Sequence, residues 1–200
     1  MSGTWDVLDS PFQILTVCTG NVCRSPLAER LLQSGLDELA AGHFRVQSAG
    51  THALVGEPVT PQTAVIAEQL GVEIGSFRAR QLETAQIRQA DLVLALDRTH
   101  RAAVVELVPQ AVRKTFTLRE LARFLPLVTP EREARPDQRW RSAVALAQRQ
   151  RRPPTDDPGS VDVVDPFRQS DEVYRQMVGQ LVPAVDALLV WEARAGRPQR

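Results

Sequence analysis

The chain has 200 residues, 43% of them apolar, and its 24 Lys and Arg balance 24 Asp and Glu to a formal net charge of zero. That content suffices for one sizeable core, so a single domain over 1–200 is expected. The charge balance argues against a nucleic-acid partner, and no apolar stretch approaches the roughly 20 residues of a membrane span.

The polar tail of residues 1–11 lacks a charged start followed by an apolar run, so a soluble, cytoplasmic protein is expected. The first apolar run, Phe12 to Cys18 (FQILTVC), is short and rich in strand formers and reads as a buried strand. Ser25 suits a helix N-cap and Pro26 the first helical position. Leu27, Leu31, Leu32, Leu36 and Leu39 then recur at helical spacing along one face. A second strand is expected from Phe44, running into Ser48-Ala49-Gly50-Thr51, and a helix from Pro61 to Leu70 that stops at Gly71. Asp91 to Leu96 (DLVLAL) reads as another buried strand, with a helix following over 99–107. Lys114 to Leu118 supplies a fourth strand, with a helix through Leu125.

Strands alternating with helices predict an α/β fold: an open four-stranded parallel sheet with helices on both faces. The stretch 125–164 breaks the rhythm with six prolines and many arginines, around one amphipathic piece from Trp140 to Arg149, and it reads as a surface insertion, partly ordered at best. Its arginines Arg149, Arg151 and Arg152 read as a solvated face. A long amphipathic helix over 170–194 closes the chain, with Asp171 and Glu172 at its positive end.

Ligands of such sheets lie beyond the carboxyl ends of the strands, where the first strand delivers Cys18. The two cysteines, Cys18 and Cys23, are too few for a disulfide framework, and the three histidines have no zinc spacing beside them. In Cys18-Thr-Gly-Asn-Val-Cys-Arg24-Ser25-Pro26 a cysteine leaves a strand, a tight loop follows, and an arginine and a hydroxyl stand where a helix begins. Backbone N–H groups of such a loop form a nest for a tetrahedral anion, and the helix start adds unpaired donors. Arg24 offers a planar fork for two phosphoryl oxygens, and Gly20 a turn that a side chain would obstruct. The same surroundings favour a thiolate, the nucleophilic form of cysteine, and Ser25 is placed to donate a hydrogen bond to it.

The segment VCTGNVCRSP resembles the phosphate-binding loop of the low-molecular-weight protein tyrosine phosphatase family, as does its position near the N-terminus. Classical tyrosine phosphatases usually place His before the cysteine; here Val17 precedes it. The resemblance continues through SAGT (Ser48 to Thr51), FRARQL (Phe77 to Leu82) and DLVLALDRTH (Asp91 to His100), and resumes at DPF (Asp165 to Phe167).

The resemblance implies hydrolysis of phosphotyrosine-type monoesters through a cysteinyl-phosphate intermediate. Cys18 is then the nucleophile, and Thr19, Gly20, Asn21, Val22, Cys23, Arg24 and Ser25 hold the phosphate. Asn21 and Ser48 hydrogen-bond each other and, with Ser25, support the loop. The family takes its general acid from a late Asp-Pro pair followed by aromatic residues. Asp165-Pro166-Phe167 fits better than Asp157-Pro158-Gly159, although Arg168 replaces a second aromatic residue seen in many relatives. Cys23 is either a packing residue or the partner that captures oxidised Cys18. Neither metal nor organic cofactor is expected. The expected partner is a phosphotyrosine protein, a bacterial tyrosine kinase or its target, because Leu54 stands where animal members often place tryptophan. Inorganic phosphate is the expected product and inhibitor. The alternatives are an arsenate reductase of related fold, for which a third cysteine is missing, and a phosphate-binding module without turnover.

Overall fold

A computed structural model of the chain describes residues 10–132, 134–151 and 158–195. Four strands, β1 (Phe12–Cys18), β2 (Phe44–Gly50), β3 (Leu92–Ala95) and β4 (Thr115–Thr117), form one parallel sheet in the order β2-β1-β3-β4. Helix α1 (Arg24–Ala40) links β1 to β2. Helices α2 (Pro61–Gln69) and α3 (Thr84–Gln89) precede β3, and α4 (Arg98–Leu107) follows it. Three further helices come after β4: α5 (Leu118–Phe124), α6 (Pro136–Gln150) and α7 (Asp171–Ala195). This is the open four-stranded α/β sheet that the alternation of patterns predicts. None of the described helices is long and apolar enough to cross a membrane.

The strands read as continuous apolar runs because both faces of the sheet are covered. Ile14, Leu92 and Leu94 point to one face and pack with Leu27, Leu32 and Leu36 of α1 and with Met177, Leu181 and Leu188 of α7. Leu15, Val17 and Val93 point to the other and meet Ile87 of α3 and Val104 of α4. On α1, Leu39 does not join the buried leucine face; it is exposed in the last turn. Helix α3 has no counterpart in the sequence pattern, being only six residues long. It is nucleated by a reciprocal cap between Glu83 and Gln86.

The described residues of the stretch 125–164 are not a surface appendage. Its residues 136–150 form α6, and Trp140 is fully buried among Trp191, Phe44 and Phe12, with ring centroids 5.5, 5.6 and 5.7 Å away. Phe12 and Phe44 face each other across the first rung of the β1–β2 pair, so α6 plugs the end of the sheet opposite Cys18.

The arginines of this stretch suggested solvent, but Arg139 and Arg151, for example, serve internal acceptors. Arg139 grips Glu192 of α7 at 2.5 and 3.1 Å, and Glu192 also accepts the Trp140 indole N–H at 2.9 Å. Arg151 pairs with Glu120 and lies 4.7 Å over the Phe116 ring. Arg149 is exposed as expected, while Arg152 lies outside the described residues, as does the tail before Ser10.

Arg139 and Glu192 are both buried, so removing one partner strands the other charge away from water. Glu192→Ala is expected to lower unfolding stability by about 3–5 kcal/mol, read as a fall in the urea midpoint. A change below about 1 kcal/mol would mean that the pair contributes little to holding α6.

Candidate active site

The loop between β1 and α1 shows how its backbone is oriented. Its carbonyls are turned onto the segment after β2: Thr51 N–H donates to Cys18 O (2.9 Å), His52 to Thr19 O (3.0 Å), Leu54 to Gly20 O (3.0 Å) and Thr60 to Val22 O (2.9 Å). Among the described residues, the N–H groups of residues 19–23 donate to no protein acceptor. A loop with its carbonyls outward and its amides unpaired is an anion nest, and the first turn of α1 adds its own orphan N–H groups.

The left-handed residue is Asn21 (φ 55°), a position asparagine tolerates, and not Gly20. A Cβ at Gly20 would find only ordinary contact with Val22, 3.4 Å away, so the expected obstruction there is absent. The glycine that sterics demand is Gly50, at the end of β2. A Cβ there would collide with the Thr19 carbonyl oxygen and come within 3.0 Å of the Cβ atoms of Ala53 and Asn21. Gly50→Ala is expected to cost about 1–3 kcal/mol of stability and on the order of tenfold in turnover as the loop shifts. Wild-type turnover in this variant would show that the loop tolerates the displacement.

A directed chain of hydrogen bonds ends on Cys18. The Asn21 side-chain oxygen accepts from Arg80 N–H (2.8 Å), which fixes the amide orientation and sends its NH₂ to Ser25 Oγ and Ser48 Oγ, both at 2.9 Å. Ser48 passes its own proton to Glu29 Oε2 (2.5 Å), which also meets Arg80 at 3.3 Å. Ser25 Oγ, already accepting from Asn21, lies 2.9 Å from Cys18 Sγ, where its proton can meet a thiolate. Ser25 is therefore not the N-cap that its place before a proline suggested. The helix begins at Arg24, and the Ser25 hydroxyl lies in the first turn facing sulfur.

Arg24 is buried, with its Nη1 anchored by Asp97 Oδ2 (3.1 Å) and the Val163 carbonyl (3.0 Å). Its Nη2 meets Asp165 Oδ2 at 2.7 Å. Asp165 is held by its surroundings: Asp162 pairs with Arg98, Val163 N–H donates to Leu96 O beyond β3 (2.8 Å), and Phe167 N–H donates to Asp165 Oδ1 (3.1 Å). Cys18, Arg24 and Asp165 thus share one cavity of about 110 Å³ with Thr19, Gly20, Val22, Cys23, His52, Leu54 and Phe167. The competing aspartate, Asp157, lies outside the described residues.

Cys23 faces away from the network, toward Thr60 Oγ1 (3.5 Å) and Tyr174 OH (3.6 Å), and burial pushes its pKa up. Both cysteines are free thiols.

Asp97, Glu29 and His100 are not among the site residues to which the sequence pattern points. Asp97 had one signal: it directly follows β3, beyond the carboxyl end of a strand next to β1. Its Oδ1 caps α4 through His100 N–H (2.9 Å) and accepts from Thr99 Oγ1 (2.5 Å). Burial lowers the His100 pKa to about 4, against the pull of Asp97 and with the push of Arg24. Asp162 and Asp165 also favour its charged form.

Because this value lies below that of an unfolded histidine, near 6.5, the unfolded chain binds the extra proton between the two. Stability is therefore complete above the unfolded value and falls as pH drops toward the folded one. The expected loss is on the order of 2–3 kcal/mol by the bottom of that window. Urea midpoints of wild type and His100→Gln should diverge on acidification, and parallel pH curves would contradict this.

The sequence of residues 13–127 matches the model of the low molecular weight phosphotyrosine protein phosphatase family. The chain is 40% identical over 103 residues to the low molecular weight protein-tyrosine-phosphatase Etp of Escherichia coli K12, covering 52% of this chain and 66% of Etp. It is 38% identical over 110 residues to a protein-arginine-phosphatase of Geobacillus stearothermophilus, covering 55% of this chain and 71% of that one. In three dimensions the YwlE arginine phosphatase of the same organism superposes with a TM-score of 0.67 at 29% identity, over 95% of this chain and 100% of its own. Vibrio vulnificus Wzb, in complex with benzylphosphonate, gives 0.63 at 27% identity, over 89% and 97%.

Proposed function

Because the chain belongs to the low molecular weight phosphotyrosine protein phosphatase family, we propose that it hydrolyses phosphotyrosine-type monoesters through a phosphorylated Cys18. The observation that carries this reading is the outward turn of the loop carbonyls, which frees a ring of amides around the sulfur that Ser25 bonds. Cys18 sulfur attacks phosphorus, the bond to the leaving oxygen breaks, and Asp165 gives that oxygen its proton. In the second step a water oxygen attacks phosphorus, the S–P bond breaks, and Asp165 takes the water's proton. Arg24 Nη2 and the amides of Thr19 to Cys23, with those of Arg24 and Ser25, hold the equatorial oxygens throughout. Asn21 and Ser48 keep the loop in shape.

Leu54 and Phe167, which line the same cavity as Cys18 and Arg24, suit an aryl group next to the phosphoryl group. The whole of 1–200 serves as one phosphatase domain, with α6 bracing the sheet from the far end. It acts in the cytoplasm on phosphotyrosine proteins, and inorganic phosphate competes for the loop. Its similarity to a protein-arginine-phosphatase supports a second reading in which the phosphoryl group leaves a guanidinium nitrogen. The test compares phosphate release from p-nitrophenyl phosphate, a phosphotyrosine peptide and a phosphoarginine peptide, with rapid quench to trap labelled Cys18. Preference for the phosphoarginine peptide would select the second reading, and no release from any of the three would overturn both.

A further inference from the structure

The loop is tied on the Ser25 side by the Asn21 network, but its first residue after the nucleophile has a separate tie. Thr19 Oγ1 lies 2.8 Å from His100 Nε2, and His100 sits in the first turn of α4 with only 3% of its surface exposed. The other ring nitrogen, Nδ1, lies 3.0 Å from Asp97 Oδ1 without the alignment of a hydrogen bond. A bare lone pair on Nδ1 would face a carboxylate, so charge complementarity puts the ring proton there. Nε2 is then the acceptor, and Thr19 is the donor. Burial keeps the ring uncharged at neutral pH, which preserves that acceptor.

We infer that His100 is a positioning residue for phosphoryl transfer: through Thr19 it pins the first peptide of the anion nest to the start of α4. Thr19 is then fixed on two sides, its hydroxyl by His100 and its carbonyl by the His52 N–H at 3.0 Å. Asp97 joins this tie to the other end of the loop, since its second oxygen holds Arg24 Nη1. One carboxylate after β3 thereby sets the spacing between the first amide of the nest and the guanidinium that closes it. The inference rests on the phosphatase reading, and it adds a residue that touches neither substrate nor reacting atoms.

Donors held in place before reaction stabilise the transferring phosphoryl group more than the bound ester, so loosening one is read in kcat more than in KM. Thr19→Val removes the hydroxyl at nearly constant volume, and His100→Leu removes the acceptor. Each is expected to lower kcat for p-nitrophenyl phosphate about tenfold, the worth of one hydrogen bond, with KM changed less than about twofold. The double variant should be no worse than either single one, because both break the same bond. Thr19→Ser and His100→Gln should restore most of the lost kcat. Additive losses, or a Thr19→Val enzyme with wild-type kcat, would overturn the inference. If His100→Leu does not fold, the contrast between Thr19→Val and Thr19→Ser decides alone, since Thr19 lies at the surface.

Calorimetric binding of orthovanadate separates this inference from the phosphatase reading. Wild type that binds vanadate without turning over an ester would overturn the reading alone, and a tenfold weaker vanadate affinity in Thr19→Val would still support the tie. Wild type that binds no vanadate would overturn both.

Discussion

Cys18→Ser is expected to lower turnover of p-nitrophenyl phosphate by on the order of 10⁴-fold or more, the scale seen when a covalent nucleophile is removed. The substitution spares everything that holds the anion. The amides of residues 19–23 stay unpaired because their carbonyls remain bonded to the segment after β2, and Arg24 keeps its anchors on Asp97 and Val163. What changes is the attacking atom. A serine hydroxyl is a weak nucleophile without a general base, and its neighbour Ser25, itself a hydroxyl, is far too weak a base to supply one. Turnover and binding should therefore separate: calorimetry should find phosphate bound within a few-fold of wild type while ester hydrolysis is lost. If the variant kept turnover within about tenfold of wild type, Cys18 would not form the covalent intermediate and the proposed function would fall.

The parts of this site legible in the sequence are those whose chemistry is local. Cys18 to Pro26 places cysteine, loop, arginine and helix start within one short segment, so the nest could be read without knowing the fold. Local reading put Ser25 beside the sulfur but also at the helix N-cap, and it gave the turn to Gly20; hydroxyls and glycines serve several roles, and tertiary partners choose among them. Ser25 found sulfur and Asn21, and the left-handed turn fell to an asparagine whose side chain bonds two serine hydroxyls and the Arg80 backbone N–H.

The Asp97–His100 tie was not legible because it depends on register. Val17 lies beside Ala95, and that rung brings the start of α4 next to Thr19 across 81 positions of sequence. The strands were legible because burial on both faces leaves an uninterrupted apolar run. The amphipathic piece from Trp140 to Arg149 was legible, but its burial was not, because arginine and proline normally signal solvent and the buried acceptor, Glu192, stands 53 residues from Arg139.

Asp165→Asn is expected to lower kcat by roughly 10²- to 10⁴-fold, the usual worth of a positioned general acid. The carboxylate pairs with Arg24 Nη2, while Nη1 is held by Asp97 and Val163. An incoming phosphoryl oxygen must take Nη2 for itself, and this frees Asp165 to face the leaving oxygen. The loop that carries it is fixed by the Asp162–Arg98 pair and by Val163 hydrogen-bonded beyond β3, so an isosteric amide should keep its place. An amide can neither give the leaving oxygen a proton nor take one from water.

The loss should therefore grow as the leaving group becomes more basic, being larger for phenyl phosphate than for p-nitrophenyl phosphate. It should also slow hydrolysis of phosphorylated Cys18, so that labelled enzyme accumulates in rapid quench. A uniform loss across leaving groups would mean that Asp165 acts only by orienting Arg24, and Asp157→Asn then becomes the deciding variant. With Asp165 as the acid, Asp157→Asn stays near wild type on every ester, whereas a loss that grows with leaving-group basicity in that variant would transfer the role.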